Sequence, residues 1–309
     1  MNKEIMVAVD DSPHSRQAVG YFARLATSVD DLHCRLVNVQ PAISPFLAAE
    51  APKDPRARQA LEHLLAAHAE AAALVLNQQH QALSDMGFPK ERIETVSLEY
   101  QEGLAKTLLD YGQTHQVDAI VIGRRDLSTL PKPFMGSVTA NLVENSTFLP
   151  IWIVDGEIRS TRLMVAVDGS ESAMRVVDHL THIFKDNRKV KFHLLHVIPR
   201  MVESCGIDFG DGRKRLEMVG RRGAHHCIDN FYAKSLARFK AAGIGRHQIE
   251  IQILEKKLNP GKAILRAATE GKFGTLVIGR RGINRSFFTG SVSRYVLNRA
   301  ENMALWLVT

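Results

Sequence analysis

The sequence predicts an α/β protein built from two tandem domains, each a doubly wound, five-stranded parallel sheet. Three observations lead there: an internal repeat, the alternation of strand and helix patterns within each copy, and continuous rather than alternating apolar strands. The repeat is carried by three blocks in the same order. Val7-Ala-Val-Asp10 recurs as Val165-Ala-Val-Asp168, Val121-Ile-Gly-Arg-Arg125 as Val277-Ile-Gly-Arg-Arg281, and Gly136-Ser-Val138 as Gly290-Ser-Val292. The offsets of 158, 156 and 154 residues drift as small loop insertions would make them. A period this long means duplicated domains, not a solenoid. The polar stretch Asp155-Gly-Glu-Ile-Arg-Ser160 marks the join, giving domains 1–156 and 157–309.

In the first copy, Ile5–Val9 is an apolar run suited to a parallel strand covered on both faces. Ser12 is placed to cap a helix running to about Ala26. Strands follow at Arg35–Val39, Ile93–Leu98, Ala119–Ile122 and Ile151–Val154. Between them lie a long Ala/Leu/Gln-rich helix from Arg56 to about Met86, stopped by Gly87, and helices at Leu104–Thr114 and Val138–Glu144. The second copy repeats the order, with strands at Leu163–Val167, Lys191–Val197, Ile249–Leu254, Thr275–Ile278 and Ala304–Val308. Right-handed crossovers then place any ligand beyond the strand C-termini, where strand order reverses. The residues just after strands one, two and four of each copy become the candidates.

Composition narrows the class. At 45% hydrophobic and 24% charged, the 309 residues are those of a soluble globular protein. No apolar run is long enough to span a bilayer, and the N-terminus runs directly into a strand with no signal-peptide pattern, so a cytoplasmic location is expected. The three cysteines, Cys34, Cys205 and Cys227, form no disulfide framework, and Cys34 in its strand is expected to pack as a small hydrophobe. Charge is unevenly divided: residues 1–157 carry 13 basic and 20 acidic side chains, net −7, and residues 158–309 carry 27 and 13, net +14. Either the second half meets an anion or the two halves attract each other or a partner subunit; both readings stay open here.

The motifs decide between chemistries. Neither Asp10-Asp-Ser-Pro-His-Ser15 nor Asp168-Gly-Ser-Glu-Ser-Ala173 is the glycine-rich turn of a dinucleotide fold, and no P-loop occurs. After the fourth strand of the second copy, however, the chain reads Gly279-Arg280-Arg281-Gly282, then Ile283–Thr289, then Gly290-Ser291-Val292 before a helix. Glycines let backbone N–H groups approach phosphate oxygens, Ser291 adds a hydroxyl, a helix N-terminus favours an anion, and Arg280, Arg281 and Arg285 add charge-assisted donors. His225-His226-Cys227 with Cys205 lacks the paired spacing of a structural zinc site, so no metal site is expected. The basic stretches Gly212–Leu216 and Gly220–Gly223 come with only 6% aromatic residues and no recognised motif, which argues against nucleic acid as a partner.

These motifs resemble the ATP-binding class of the universal stress proteins, and the resemblance spans both halves, as in a tandem, E-type member. It implies the family's adenine-nucleotide α-hydrolase-like fold and a nucleotide ligand, ATP or a related adenine nucleotide. Asp168 and Ser291 are residue types that can coordinate Mg²⁺ together with a phosphate. The family pattern is G-x-x-G, nine residues, then G-[ST]. Gly279, Gly282, Gly290 and Ser291 match it across a seven-residue spacer. In the first copy Gly123, Gly136 and Ser137 have the family spacing, but Asp126 replaces the second glycine, so this site is expected to be degenerate. The resemblance also assigns Asp10 and Asp168 to the adenine–ribose side and Val39 and Val197 to the adenine pocket. Helix capping is the competing role for each aspartate. With no P-loop and no general base, a binding and signalling module in the stress response is expected rather than an enzyme. The alternatives are a slow ATPase or nucleotidyl transferase, and a binder of a non-nucleotide or nucleotide-linked ligand. One tandem chain mimics a dimer of single-domain members, and a homodimer would extend that pairing.

Overall fold

Each half of the chain is an open parallel sheet wrapped by helices. A computed structural model describes residues 2–124, 137–199, 228–280 and 291–309. It divides into two compact units, Met1–Arg159 with Glu301–Ala304, and Ser160–Ala300 with Leu305–Thr309.

The first unit runs β1 (Lys3–Ala8), α1 (Pro13–Ala26), β2 (Leu32–Val39), α2 (Pro45–Glu50), α3 (Pro55–Asp85), β3 (Ile93–Leu98), α4 (Leu104–Thr114), β4 (Ala119–Gly123), α5 (Ser137–Asn145) and β5 (Ile151–Val154). Its strand order is β3-β2-β1-β4-β5. The four pairings are parallel, with Val7 opposite Leu36 on one side and Val121 on the other. Order therefore reverses between β1 and β4. Both central strands are buried on both faces: Ile5, Met6, Val7, Ile120 and Val121 are fully inaccessible.

Helix ends follow local chemistry. Ser12 caps α1 by accepting from the Ser15 backbone N–H, with Pro13 in the first turn. Asp54 caps α3 in the same way through the Arg56 N–H. At the far end of α3, Gly87 takes the left-handed conformation (φ 88°) and the Phe88 N–H bonds back to the Leu83 carbonyl. That turn sets Phe88 edge-on against Phe22 of α1, with ring centroids 5.3 Å apart.

The second unit repeats the plan: β6 (Leu163–Val167), α6 (Glu171–Ile183), β7 (Phe192–Pro199), α7 (residues 228–241), β8 (Ile249–Lys257), α8 (Pro260–Glu270), β9 (Thr275–Gly279), α9 (Ser291–Arg299) and β10 (Ala304–Val308). Its order is β10-β9-β6-β7-β8, again reversing beside the first strand, between β6 and β9. Phe184, Phe192, Phe239 and Trp306 fill its core, with Phe184 stacked on Trp306 and edge-on to Phe192.

β2, β7, β8 and α2 differ from the sequence expectation. β2 begins at Leu32, because Lys3 of β1 pairs with it and extends the ladder. β7 and β8 run on to Pro199 and Lys257, which pair beyond an irregularity that follows Val197. The short helix α2 was not expected; none of its residues is buried, so it leaves no apolar period in the sequence.

Candidate functional site

In both units the strand ends at the reversal of strand order carry the same construction. In the first, Asp10 follows β1 and its Oδ1 accepts from the Ser12 N–H (3.0 Å) and the Ser12 hydroxyl (2.5 Å). The Asp10 N–H donates to Ser15 Oγ (3.0 Å). In the second, Asp168 Oδ1 accepts from the Ser170 N–H (3.0 Å) and hydroxyl (2.5 Å), while Ser170 caps α6 through the Ala173 N–H. The capping role considered for the aspartates thus falls to the serines. Each carboxylate instead holds its serine in place and is itself fixed at the strand end.

The second strand of each unit adds a side chain that ties down the first. Asn38 Nδ2 donates to the Val9 carbonyl (2.8 Å), and His196 Nδ1 is 2.8 Å from the Val167 carbonyl. Both side chains are buried. The fourth strand ends on a glycine for a steric reason. A Cβ on Gly123 would lie 2.2 Å from the His14 carbonyl oxygen, and one on Gly279 would lie 2.6 Å from Ser172 Oγ. The first turn of the helix that follows the first strand, α1 or α6, therefore presses directly on the end of the fourth. Ser172 uses that closeness to donate to the Arg280 carbonyl (2.5 Å), and Ser293 of α9 donates to the Gly279 carbonyl (3.0 Å).

In the first unit these elements enclose a cavity of about 400 Å³. Asp10, Val39 and Gly123 line it together, with Val138 and Thr139 from the first turn of α5. Leu104 and Leu108 of α4 close one side. Sequence reasoning had not included Asn38, Ser15, Thr139 or the two leucines. Superposing the halves by their repeat offset would have flagged Asn38 beside Val39 as the partner of His196 beside Val197. The leucines belong to a packing contact that no motif marks.

In the second unit, Asp168, Val197, Gly279, Arg280, Ser291 and Val292 lie at the corresponding strand and helix ends: after β6, on β7, at the end of β9, and in the first turn of α9. Asp168 is exposed, and Val197 is buried. Ser137 likewise begins α5. Asp126, Gly136, Gly282 and Gly290 lie outside the described residues, as do Cys205, His225, His226, Cys227 and both basic stretches. Among the described residues no group of three or more His, Cys, Asp or Glu side chains could hold a metal ion, and no helix is long and apolar enough to cross a membrane.

Comparison with known proteins agrees with this architecture. The family model described as the universal stress protein family matches residues 1–155 and again 160–306. A universal stress protein from Archaeoglobus fulgidus shares the fold over 99% of this chain and 98% of its own, with a TM-score of 0.66 and 19% identity. A functionally unknown protein from Pseudomonas aeruginosa PAO1 matches over 99% and 92%, with a TM-score of 0.60 and 14% identity. No curated protein matches.

Proposed function

Since the chain belongs to the universal stress protein family, we propose that it is a binding and signalling module of the stress response, with two family domains at 1–156 and 157–309, that takes an ATP-like nucleotide in the second. The observation that carries the reading is the fixed Asp168 carboxylate at the reversal of strand order, beside a strand that ends on Gly279. Ligands of doubly wound sheets collect at that point. One oxygen of Asp168 is engaged by Ser170, and the group is exposed, so it can accept from sugar hydroxyls. Val197 on the neighbouring strand offers an apolar surface to the base.

The phosphate end follows from the sequence that leads into α9. Gly282 and Gly290 permit close approach of backbone N–H groups. Arg280, Ser291 and the α9 N-terminus, reached through Val292, supply donors and a favourable dipole. The first turn of this nine-residue helix has N–H groups without an intrahelical partner. Mg²⁺ would accompany the nucleotide as its phosphate counterion. The net charge of +14 over residues 158–309 draws anions to this half.

The test is calorimetric titration of ATP into wild type and Gly282→Asp. The substitution should abolish binding; unchanged affinity would remove this site from consideration. Turnover should be negligible. A triphosphatase rate near the ~1 s⁻¹ of an ordinary enzyme, lost on Asp168→Ala, would instead establish catalysis.

A further inference from the structure

The described residues that line the cavity of the first unit are predominantly aliphatic. Its volume of about 400 Å³ falls in the range of roughly 300–1,000 Å³ that holds small organic ligands. Val37, Val39, Leu104, Leu108, Ile122 and Val138 make its walls. The polar groups that line it are largely committed within the protein: the Asn38 amide donates to the Val9 carbonyl, the Ser12 hydroxyl to Asp10, and the Ser15 hydroxyl accepts from the Asp10 N–H. The rest of the lining is aliphatic, a surface that an apolar occupant would remove from water. The half-buried Asp10 carboxylate lies at one side of the cavity.

We propose that this cavity, apart from the strand-end site of the second unit, is a binding site for an uncharged, predominantly apolar small molecule. The apolar body lies between the aliphatic residues of β2, β4 and α4, and a single hydroxyl or amide donor suffices to meet Asp10. Burial of apolar ligand surface against these walls provides the affinity. The competing occupant is a nucleotide, drawn by the N-terminus of α5, whose first turn contributes Val138 and Thr139. The inference does not depend on nucleotide binding in the second unit, which the Gly282→Asp titration tests by itself.

The experiment is a fluorescence titration of the full chain with the neutral apolar probe N-phenyl-1-naphthylamine. One probe should bind per chain, and saturating ATP should leave it bound. Leu104→Trp and Val39→Trp each place an indole in the cavity from a partly exposed position, and each should weaken the probe by about tenfold or more by removing the space it occupies. Thermal melts identify a variant that has lost its fold, and the other variant then decides. Absence of probe binding to wild type, unchanged affinity in a folded variant, or displacement of the probe by ATP would each overturn the proposal.

Discussion

His196 of β7 is hydrogen bonded at 2.8 Å to the backbone carbonyl of Val167, the last residue of β6. A carbonyl only accepts, so Nδ1 carries the proton and Nε2 is the remaining acceptor in the neutral ring. Asn38 makes the same bond to Val9 in the first unit, through an amide. The bond tethers the end of one strand to its neighbour one residue before the aspartate of the site. His196→Asn should therefore retain the fold at nearly wild-type stability, since the other unit already uses that solution. His196→Ala leaves a buried carbonyl without its partner and should lower stability by about 1–3 kcal/mol. Urea midpoints of the two variants check this; equal midpoints would show that the tether is immaterial.

The two strand-end glycines make a second prediction. Gly123→Ala would drive its Cβ to 2.2 Å from the His14 carbonyl oxygen, and Gly279→Ala would set one 2.6 Å from Ser172 Oγ and 2.9 Å from the Ser172 carbonyl oxygen. At Gly123 the obstacle is backbone, which moves only if the start of α1 moves with it. Overpacking of this kind costs roughly 1–3 kcal/mol, with the greater loss expected at Gly123. Thermal denaturation of the two variants gives the ranking. Gly279→Ala should also release Ser172 from the Arg280 carbonyl, so its ATP affinity should fall even where its fold survives.

How much of this was legible in the sequence depends on how local the cause is. β3, β5, β6, β10 and α4 lie where the apolar patterns put them, because turn residues and caps bracket them tightly. The strand-end aspartates and glycines were visible because the repeat prints them twice. The cavity was not visible, since Leu108 reads as an ordinary core residue of an amphipathic helix until α4 is packed across β2. Nor was the engagement of Asp10 by Ser12, which looks in sequence like a helix cap and is one, with a second function added. Asp126 drew attention to what the first unit lacks for phosphate, and so away from what it offers an apolar ligand.

Cys34 makes a pH prediction. It lies on β2, one per cent exposed. Burial pushes its thiol well above the ordinary value near 9, with the charge of Glu4 adding to the effect. The folded protein thus holds this proton more tightly than the unfolded chain does. Its contribution to stability is complete below the unfolded thiol's pKa and is lost as pH rises through and above that value. The wild type should accordingly lose stability between pH 8 and pH 10 faster than Cys34→Ala, once both are compared by urea midpoint at each pH. Parallel slopes for the two proteins would contradict this. The native thiol should also resist alkylation until the protein unfolds, read in a Cys205→Ser, Cys227→Ser background.

The last prediction concerns nucleotide stoichiometry. The first copy keeps the spacing of Gly123, Gly136 and Ser137, yet carries Asp126 where the second copy has Gly282. A side chain there hinders close approach of the backbone to a phosphate, and its charge repels one. At about 4 Å and an effective dielectric near 20 the repulsion reaches up to ~4 kcal/mol. The neighbouring positive charges in the sequence, Arg124 and Arg125, would offset part of it, and solvent would screen more. Even ~1.4 kcal/mol weakens affinity tenfold. The long-range field acts in the same direction, because residues 1–157 carry net charge −7 while the second half carries +14. Wild type should thus bind one ATP per chain, in the second unit. Asp126→Gly should raise the number toward two, with the new site the weaker because the acidic surroundings remain. The same substitution should make the apolar probe of the first-unit cavity displaceable by ATP, since nucleotide and probe would then compete for one space. Calorimetry on the two proteins separates the outcomes. Two equivalent sites in wild type would show that Asp126 does not guard the first unit, and one site in both proteins would show that the first unit is closed to nucleotide for some other reason.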